Sequence, residues 1–84
     1  MSYSLLFKNT AVKSIKKLSE KDTQKIARVL ESLKTNPFSG KKLAGEYKDY
    51  YSLRVWPYRI IYTIIKKELI VLVVDVGHRQ GVYR

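Results

Sequence analysis

Three β-rich runs separated by very short breaks constrain the fold of this chain most strongly. The runs are YYSLRVW, YRIIYTII and ELIVLVVDV, and only Pro57 and a lysine pair at positions 66 and 67 separate them. Connections this short cannot carry a crossover helix, so the runs are predicted to form an antiparallel meander. The last run is apolar on both faces, which predicts a strand that is covered on both sides.

The first half of the chain predicts one strand followed by two helices. YSLLF is an apolar run of strand length. Apolar residues then recur at helical spacing twice, first after Asn9 or Thr10, either of which can cap the helix, and again from about Asp22. Pro37 ends the second helix because proline disfavours helical backbone at the residue before it. Two short amphipathic helices joined by a few residues predict an antiparallel helix hairpin.

These elements give the predicted order β-α-α-β-β-β in a single domain of residues 1–84. The segment KKLAGEYKD, between the helices and the meander, is expected to be a loop. The fold class is α+β, an antiparallel sheet with the two-helix hairpin packed on one face.

Charge is the property that says most about partners. The chain has 17 Lys and Arg against 7 Asp and Glu, a formal net charge of +10. Such a charge attracts polyanions, and we expect a nucleic acid or an acidic protein as the partner. No membrane is expected, because LIVLVVDV is too short to span a bilayer. The absence of cysteine excludes disulfides and favours the cytoplasm.

No familiar enzyme constellation stands out. A single histidine without cysteine cannot build a zinc site, and the four glycines lie too far apart for a phosphate loop. We therefore expect neither a metal nor a cofactor. The acidic residues form no convincing catalytic pair. Asp75 lies within an apolar strand, where a partnership with a neighbouring Arg or Lys is favoured over catalysis.

Arginines follow the strands of the predicted meander. Arg54, Arg59 and Arg79 each lie on or just after one of its strands and can converge on one concave side of the sheet. Converging guanidinium groups repel one another unless an anion neutralises them, and a planar guanidinium binds phosphate through two parallel hydrogen bonds. The alternative is that they point separately into solvent or pair with Asp75 and Glu68. Composition alone does not decide between the two.

His78 and Tyr83 add groups that can transfer protons. A histidine titrates near neutrality, and a tyrosine beside cations can have its pKa lowered towards that of a usable base. Either ring can instead stack on an unpaired base. For both residues a purely structural role is the more frequent outcome.

A resemblance to a known family favours a functional role for these residues over a purely structural one. YSLRVWPYRIIY followed by VVDVGHRQGVYR resembles the paired signature of the RelE/ParE toxin superfamily, and more closely that of its RelE branch. The likeness covers nearly the whole chain, since two helices ahead of a three-stranded meander is also the family order. The resemblance implies an mRNA interferase, a ribosome-dependent endoribonuclease that cuts messenger RNA in the ribosomal A site. It also implies a cognate antitoxin, RelB-like and acidic in part, that wraps the toxin.

The resemblance also implies roles for individual residues. Arg59 matches the phosphate-contacting and catalytic arginine of the YR motif, and Arg79 matches an arginine that stabilises the transition state. Tyr83 matches a tyrosine that stacks on a base or helps proton transfer. Arg54 matches a basic position, and His78 and Arg84 are expected to contact RNA with it.

One departure from the family pattern affects proton transfer. Tyr50 and Ser52 stand where the best-known bacterial pattern carries lysines. Charge is then expected from the preceding segment, which has three lysines that can bind RNA: Lys41, Lys42 and Lys48.

Two alternatives stay open at this point. The first is a ParE-like toxin that inhibits DNA gyrase without cutting RNA, because one fold can host both activities. The second is an inactive member that survives as a binding partner.

Overall fold

The computed structural model of the protein describes residues 2–78. Its helices are α1 (Asn9–Lys16) and α2 (Glu20–Leu33), and its strands are β1 (Ser4–Phe7), β2 (Lys41–Lys42), β3 (Tyr50–Val55), β4 (Tyr58–Ile65) and β5 (Ile70–His78). Single 3₁₀ turns lie at Pro37–Ser39, Gly45–Tyr47 and Lys66–Glu68. Within this part of the chain, neither helix is long and apolar enough to cross a membrane.

The five strands form one sheet in the order β1-β5-β4-β3-β2. β3, β4 and β5 pair antiparallel along their length, which confirms the predicted meander. β1 joins the far side of β5 as the one parallel pair among the described strands. Both helices pack on the same face of the sheet, so the α+β fold with a helix pair on one face is confirmed.

The segment predicted to be a loop contains a short strand. Lys41 pairs with Ser52 and Lys42 pairs with Tyr51. β2 is therefore an additional edge strand of two residues that lies beside β3. The amide of Leu43 donates a further hydrogen bond of 2.9 Å to the Tyr50 carbonyl oxygen. A strand of two residues is too short to show an alternating pattern in the sequence. Its extended conformation depends on its pairing with β3.

A serine cap sets the start of α2. Ser19 Oγ accepts a hydrogen bond of 3.1 Å from the Asp22 amide, which satisfies one of the free donors of the first turn. Glu20 and Asp22 place negative charge at the same end of the helix, where the helix dipole favours it.

The predicted cap of α1 at Asn9 or Thr10 was wrong. Lys8 occupies the position before the helix and makes no side-chain cap. The Thr10 hydroxyl instead donates a hydrogen bond of 2.6 Å to the Val74 carbonyl oxygen of β5. An acceptor that is distant in sequence has therefore taken the hydroxyl that a local cap would have used.

The core lies between the helices and one face of the sheet. The helices contribute Ala11, Ile26, Leu30 and Leu33, and the strands contribute Val55, Ile60, Tyr62, Val71, Val73 and Val76. Each large apolar side chain buried in this way stabilises the fold by roughly 1.5–3 kcal/mol. The other face of β5 carries half-buried side chains, so the prediction that β5 is covered on both faces holds fully for one face and in part for the other.

A bulge in β5 determines which of its side chains face the core. Ile61 pairs with Asp75 and Tyr62 pairs with Val73, so Val74 is an extra residue in the ladder. The extra residue shifts the alternation by one, and a strand that buries Val73 goes on to bury Val76. After the bulge, the register pairs glycine 77 with Arg59 on β4.

Candidate functional site

Two arginines face each other across the β3–β4 hairpin. Arg54 and Arg59 are register partners, so both side chains leave the same face of the sheet. Their neighbours Val55 and Ile60 are buried in the core, which places the arginines on the face opposite the helices. Like charges directly opposite on adjacent strands repel each other, and a bound anion removes that cost.

A cleft of about 460 Å³ surrounds the arginine pair. Its polar walls come from Lys41 of β2, Ser52 and Arg54 of β3, and Arg59 of β4, and it also contacts Ser39, Leu43 and Leu53. We call it the arginine cleft. No acidic side chain among the described residues lines it. The cleft is therefore a concave surface with three cations, which suits a phosphate or another anion.

The three cations of the arginine cleft differ in how far their side chains are buried. Arg59 is half-buried on β4, which has a strand on each side, whereas Arg54 and Lys41 are exposed. The register partner of Arg59 on β5 is Gly77, which has no side chain to fill the space beside Arg59. A half-buried guanidinium on an inner strand is pre-positioned for a ligand, and the exposed ones can adjust to it.

Tyr62 anchors the segment that brings Lys41 to the cleft. Its hydroxyl donates a hydrogen bond of 2.8 Å to the Pro37 carbonyl oxygen and accepts one of 3.0 Å from the Gly40 amide. Burial raises the pKa of Tyr62 above its ordinary value of 10.0, and the bond from Gly40 only partly opposes this. The hydroxyl therefore keeps its proton and continues to donate at neutral pH.

Gly40 is required by the same contact. A Cβ at this position would lie 2.5 Å from Tyr62 Oη, closer than real Cβ atoms approach, and 3.1 Å from the Ser52 carbonyl oxygen, which is tighter than most such contacts. The absence of a side chain lets the backbone enter the space beside the sheet. Neither Gly40 nor Tyr62 was predicted from the sequence to support the site.

The structure separates the three lysines that were predicted together. Lys41 lines the arginine cleft, whereas Lys42, one residue later in the strand, lines a second cleft with Tyr51 and Lys66. Lys48 is exposed beyond the second 3₁₀ turn and lines neither cleft. RNA binding by Lys42 and Lys48 stays a prediction, and neither lysine lines the arginine cleft.

His78 is the last described residue and lies on the other side of the sheet from Arg59. It pairs with Tyr58, and the two rings meet edge to face with their centroids 6.2 Å apart. The Tyr58 hydroxyl donates a hydrogen bond of 2.6 Å to Asp22 Oδ2. This bond, with smaller effects of burial and of the Asp22 charge, raises the pKa of Tyr58 above 10.0.

The remaining predicted site residues, Arg79, Tyr83 and Arg84, lie outside the described residues. Asp75 is described, and its partners within residues 2–78 differ from the predicted Arg or Lys. Its Oδ1 accepts hydrogen bonds from Ser14 Oγ at 2.7 Å and from the Val76 amide at 2.9 Å. Asp75 therefore fastens α1 to the bulge in β5.

Comparisons with known proteins identify the family to which this fold belongs. Residues 5–83 match the family model of the ParE toxin of the type II toxin–antitoxin system parDE. A protein of Escherichia coli named as a RelE-like toxin is 36% identical over 83 residues, which cover 95% of this chain and 86% of that protein. A protein of Methanocaldococcus jannaschii named as toxin RelE1 is 26% identical over 89 residues, covering 100% and 98% respectively.

A solved structure has the same architecture as this chain. The toxin–antitoxin complex RelBE2 of Mycobacterium tuberculosis contains a chain with a TM-score of 0.87 and 27% sequence identity to this one. The match covers 94% of this chain and 100% of that chain. With a family model that spans almost all of the sequence, the chain belongs to the RelE/ParE superfamily of toxins from type II toxin–antitoxin systems.

Proposed function

We propose that the protein is a ribosome-dependent endoribonuclease that cleaves messenger RNA in the cytoplasm and so inhibits translation. The observation that carries this proposal is the arginine cleft, where Arg54 and Arg59 face each other and Lys41 adds a third cation without an acidic residue in the walls. The RelE names of two full-length relatives support the same choice.

The chemistry that suits this cleft is an internal transesterification of RNA. The ribose 2′-hydroxyl loses its proton to a base and attacks the adjacent phosphorus. The bond to the 5′-oxygen breaks, the leaving oxygen takes up a proton, and a 2′,3′-cyclic phosphate remains. The transition state carries more negative charge than the substrate, so fixed cations accelerate the reaction by binding that charge more tightly than the ground state.

The described residues divide this work by position. Arg59, half-buried on an inner strand, is proposed to hold the phosphate that reacts. Arg54 and Lys41, both exposed, are proposed to bind the flanking backbone. The family resemblance adds Arg79 as a second transition-state cation and Tyr83 as the proton-transfer group. Messenger RNA held by a ribosome arrives already positioned, which lowers the entropic part of the barrier.

An antitoxin is the second proposed partner. The relative from Mycobacterium tuberculosis was solved as a toxin–antitoxin complex. A net charge of +10 favours a partner with an acidic segment, and the arginine cleft is the surface that such a segment would neutralise. Binding there would block the cleft for RNA.

Inhibition of DNA gyrase is the alternative that one specific observation favours. The family model that matches residues 5–83 is described by its ParE toxin, not by RelE. On this alternative the same cations would bind a protein surface and no RNA would be cut.

One pair of assays separates the two functions. The purified chain is added to ribosomes programmed with messenger RNA, and cleavage is followed by primer extension. In parallel, supercoiling by gyrase is measured with the same protein. The proposal expects cleavage of translated message with a 2′,3′-cyclic phosphate end and unchanged supercoiling. Inhibited supercoiling with intact message would instead support the ParE-like function.

A further inference from the structure

A second cleft lies at the same edge of the sheet and has a different chemistry. Its volume is about 370 Å³, and its walls come from Lys42, Asp49, Tyr51, Thr63, Ile64 and Lys66. Lys42 and Tyr51 are register partners, as are Tyr51 and the buried Tyr62, so this cleft opens on the helix side of the sheet. We call it the aromatic cleft.

Aromatic rings are arranged in series at this cleft. The Tyr51 ring stacks on Tyr62 with centroids 5.4 Å apart and an interplanar angle of 15°. Phe38 meets Tyr51 edge to face at 6.1 Å, and the Lys66 ammonium lies 5.5 Å from the centre of the Phe38 ring. Phe38 nevertheless keeps 48% of its surface exposed. Phe38 does not line the cleft, but it contacts Tyr51 and Lys66, which do. A ring this exposed is a platform on which another flat group can stack.

The two clefts are joined by one short strand. Consecutive residues of a strand point to opposite faces, so β2 sends Lys41 to the arginine cleft and Lys42 to the aromatic cleft. β2 is the outermost strand and is two residues long. An extended chain that passes around this edge can therefore contact both clefts, with a lysine on each side.

We infer that the aromatic cleft binds a nucleotide of single-stranded RNA next to the nucleotide held in the arginine cleft. The base stacks on Phe38, and its phosphate lies between Lys42 and Lys66. Stacking on an aromatic ring combined with nearby cations is the general mode by which proteins hold single strands. This inference rests on the proposed function, because it extends the RNA from the reactive phosphate to a neighbouring nucleotide.

The lining of the cleft favours RNA over an acidic peptide. The walls are mostly polar, unlike the apolar groove that receives an amphipathic helix. The Asp49 carboxylate in the wall repels the carboxylates of an acidic segment and the phosphates of RNA alike, so charge repulsion does not separate the two occupants. The same carboxylate can accept a hydrogen bond from the amino group of a nucleobase. An acidic antitoxin segment is therefore the competing occupant that an experiment has to separate from RNA.

Binding of an RNA that cannot be cleaved tests the inference directly. The probe is a fluorescent, 2′-O-methylated RNA of about six nucleotides, titrated with the full chain at fixed salt. Phe38→Leu keeps an apolar side chain but removes the ring, and Lys66→Gln removes one charge. Each is expected to weaken binding about tenfold. Lys67→Gln, the exposed neighbour that lines neither cleft, is the matched control and should bind like the unmodified chain.

The outcomes distinguish this inference from the proposed function. Weaker RNA binding by both variants, with the control unchanged, supports the aromatic cleft whether or not the protein cuts messages. Unchanged binding by Phe38→Leu and Lys66→Gln overturns it even if the unmodified chain is an active nuclease, and so does a chain that binds no RNA. Variants that bind RNA normally but lose affinity for the antitoxin would assign the cleft to the protein partner. Melting temperatures of all variants check that each is folded.

Discussion

The hydroxyl of Tyr62 donates a 2.8 Å hydrogen bond to the carbonyl oxygen of Pro37. It also accepts from the Gly40 amide, so a single buried oxygen holds the segment that leads to Lys41. Tyr62→Phe leaves both backbone groups without this partner, and we expect a loss of about 1–3 kcal/mol in the free energy of unfolding. Urea denaturation followed by circular dichroism measures it.

Tyr50→Phe is the control for this variant, because it removes a hydroxyl from a tyrosine that is only half-buried. Its effect should stay within about 0.5 kcal/mol.

The close approach of Gly40 to Tyr62 can be tested in two backgrounds, the unmodified chain and Tyr62→Phe. Gly40→Ala forces a Cβ towards Tyr62 Oη and should destabilise the chain by about 1–3 kcal/mol, but by less when Tyr62 is already Phe. Equal costs of Gly40→Ala in both backgrounds would contradict the contact.

The opposed arginines predict a conflict between stability and function. Arg54 lies directly opposite Arg59, so Arg54→Gln removes a like-charge repulsion across the hairpin. We expect the free energy of unfolding to rise by roughly 0.2–1 kcal/mol at low salt while binding of RNA weakens. The gain should shrink as salt screens the pair. Urea denaturation at low and high ionic strength measures it, and a loss of stability at low salt would argue that the two guanidinium groups do not repel.

Tyr58 predicts a specific dependence of stability on alkaline pH. Its hydrogen bond to Asp22 raises the pKa of the phenol in the folded state above the ordinary 10.0. Below pH 10.0 the phenol is protonated whether the chain is folded or unfolded, and the stabilisation is fully present. Above it, the unfolded chain loses the proton first, so the stabilisation is lost as the pH rises through the folded-state pKa.

The difference in unfolding free energy between the unmodified chain and Tyr58→Phe should therefore be constant from neutral pH to about 10 and fall above it. Asp22→Asn keeps the size of the side chain and removes its charge, and should reduce this fall. A difference that grows with alkaline pH would mean that the pKa of Tyr58 is lowered in the folded state.

Much of the fold follows from local pattern. The β-rich runs on either side of Pro57 give the hairpin that carries Arg54 and Arg59, and the helical spacing of apolar residues gives α1 and α2. These predictions succeed because alternation and short connections are properties of adjacent residues. The sequence also suggested that the arginines converge, and the register of β3 with β4 brings two of the three together.

The rest depends on contacts between residues far apart in sequence. β2 exists because β3 offers it a partner, and the separation of Lys41 from Lys42 follows only once that strand is known. The Thr10 hydroxyl bonds to β5 in place of a cap, and a bulge that no local pattern marks decides which residue pairs with Arg59. Tyr62 reads as an ordinary core residue until its hydroxyl is seen to reach Pro37 and Gly40.

The central claim is that the arginine cleft stabilises the transition state of RNA cleavage, and single-turnover cleavage on programmed ribosomes tests it most directly. The comparison is between the unmodified chain, Arg59→Ala, and the control Arg28→Ala, whose arginine is exposed on α2 and lines neither cleft. We expect Arg59→Ala to slow cleavage by about 10²–10³-fold, as loss of a charge-stabilising group does elsewhere, and Arg28→Ala to retain nearly the full rate. Cleavage by Arg59→Ala at the rate of the unmodified chain would contradict the account.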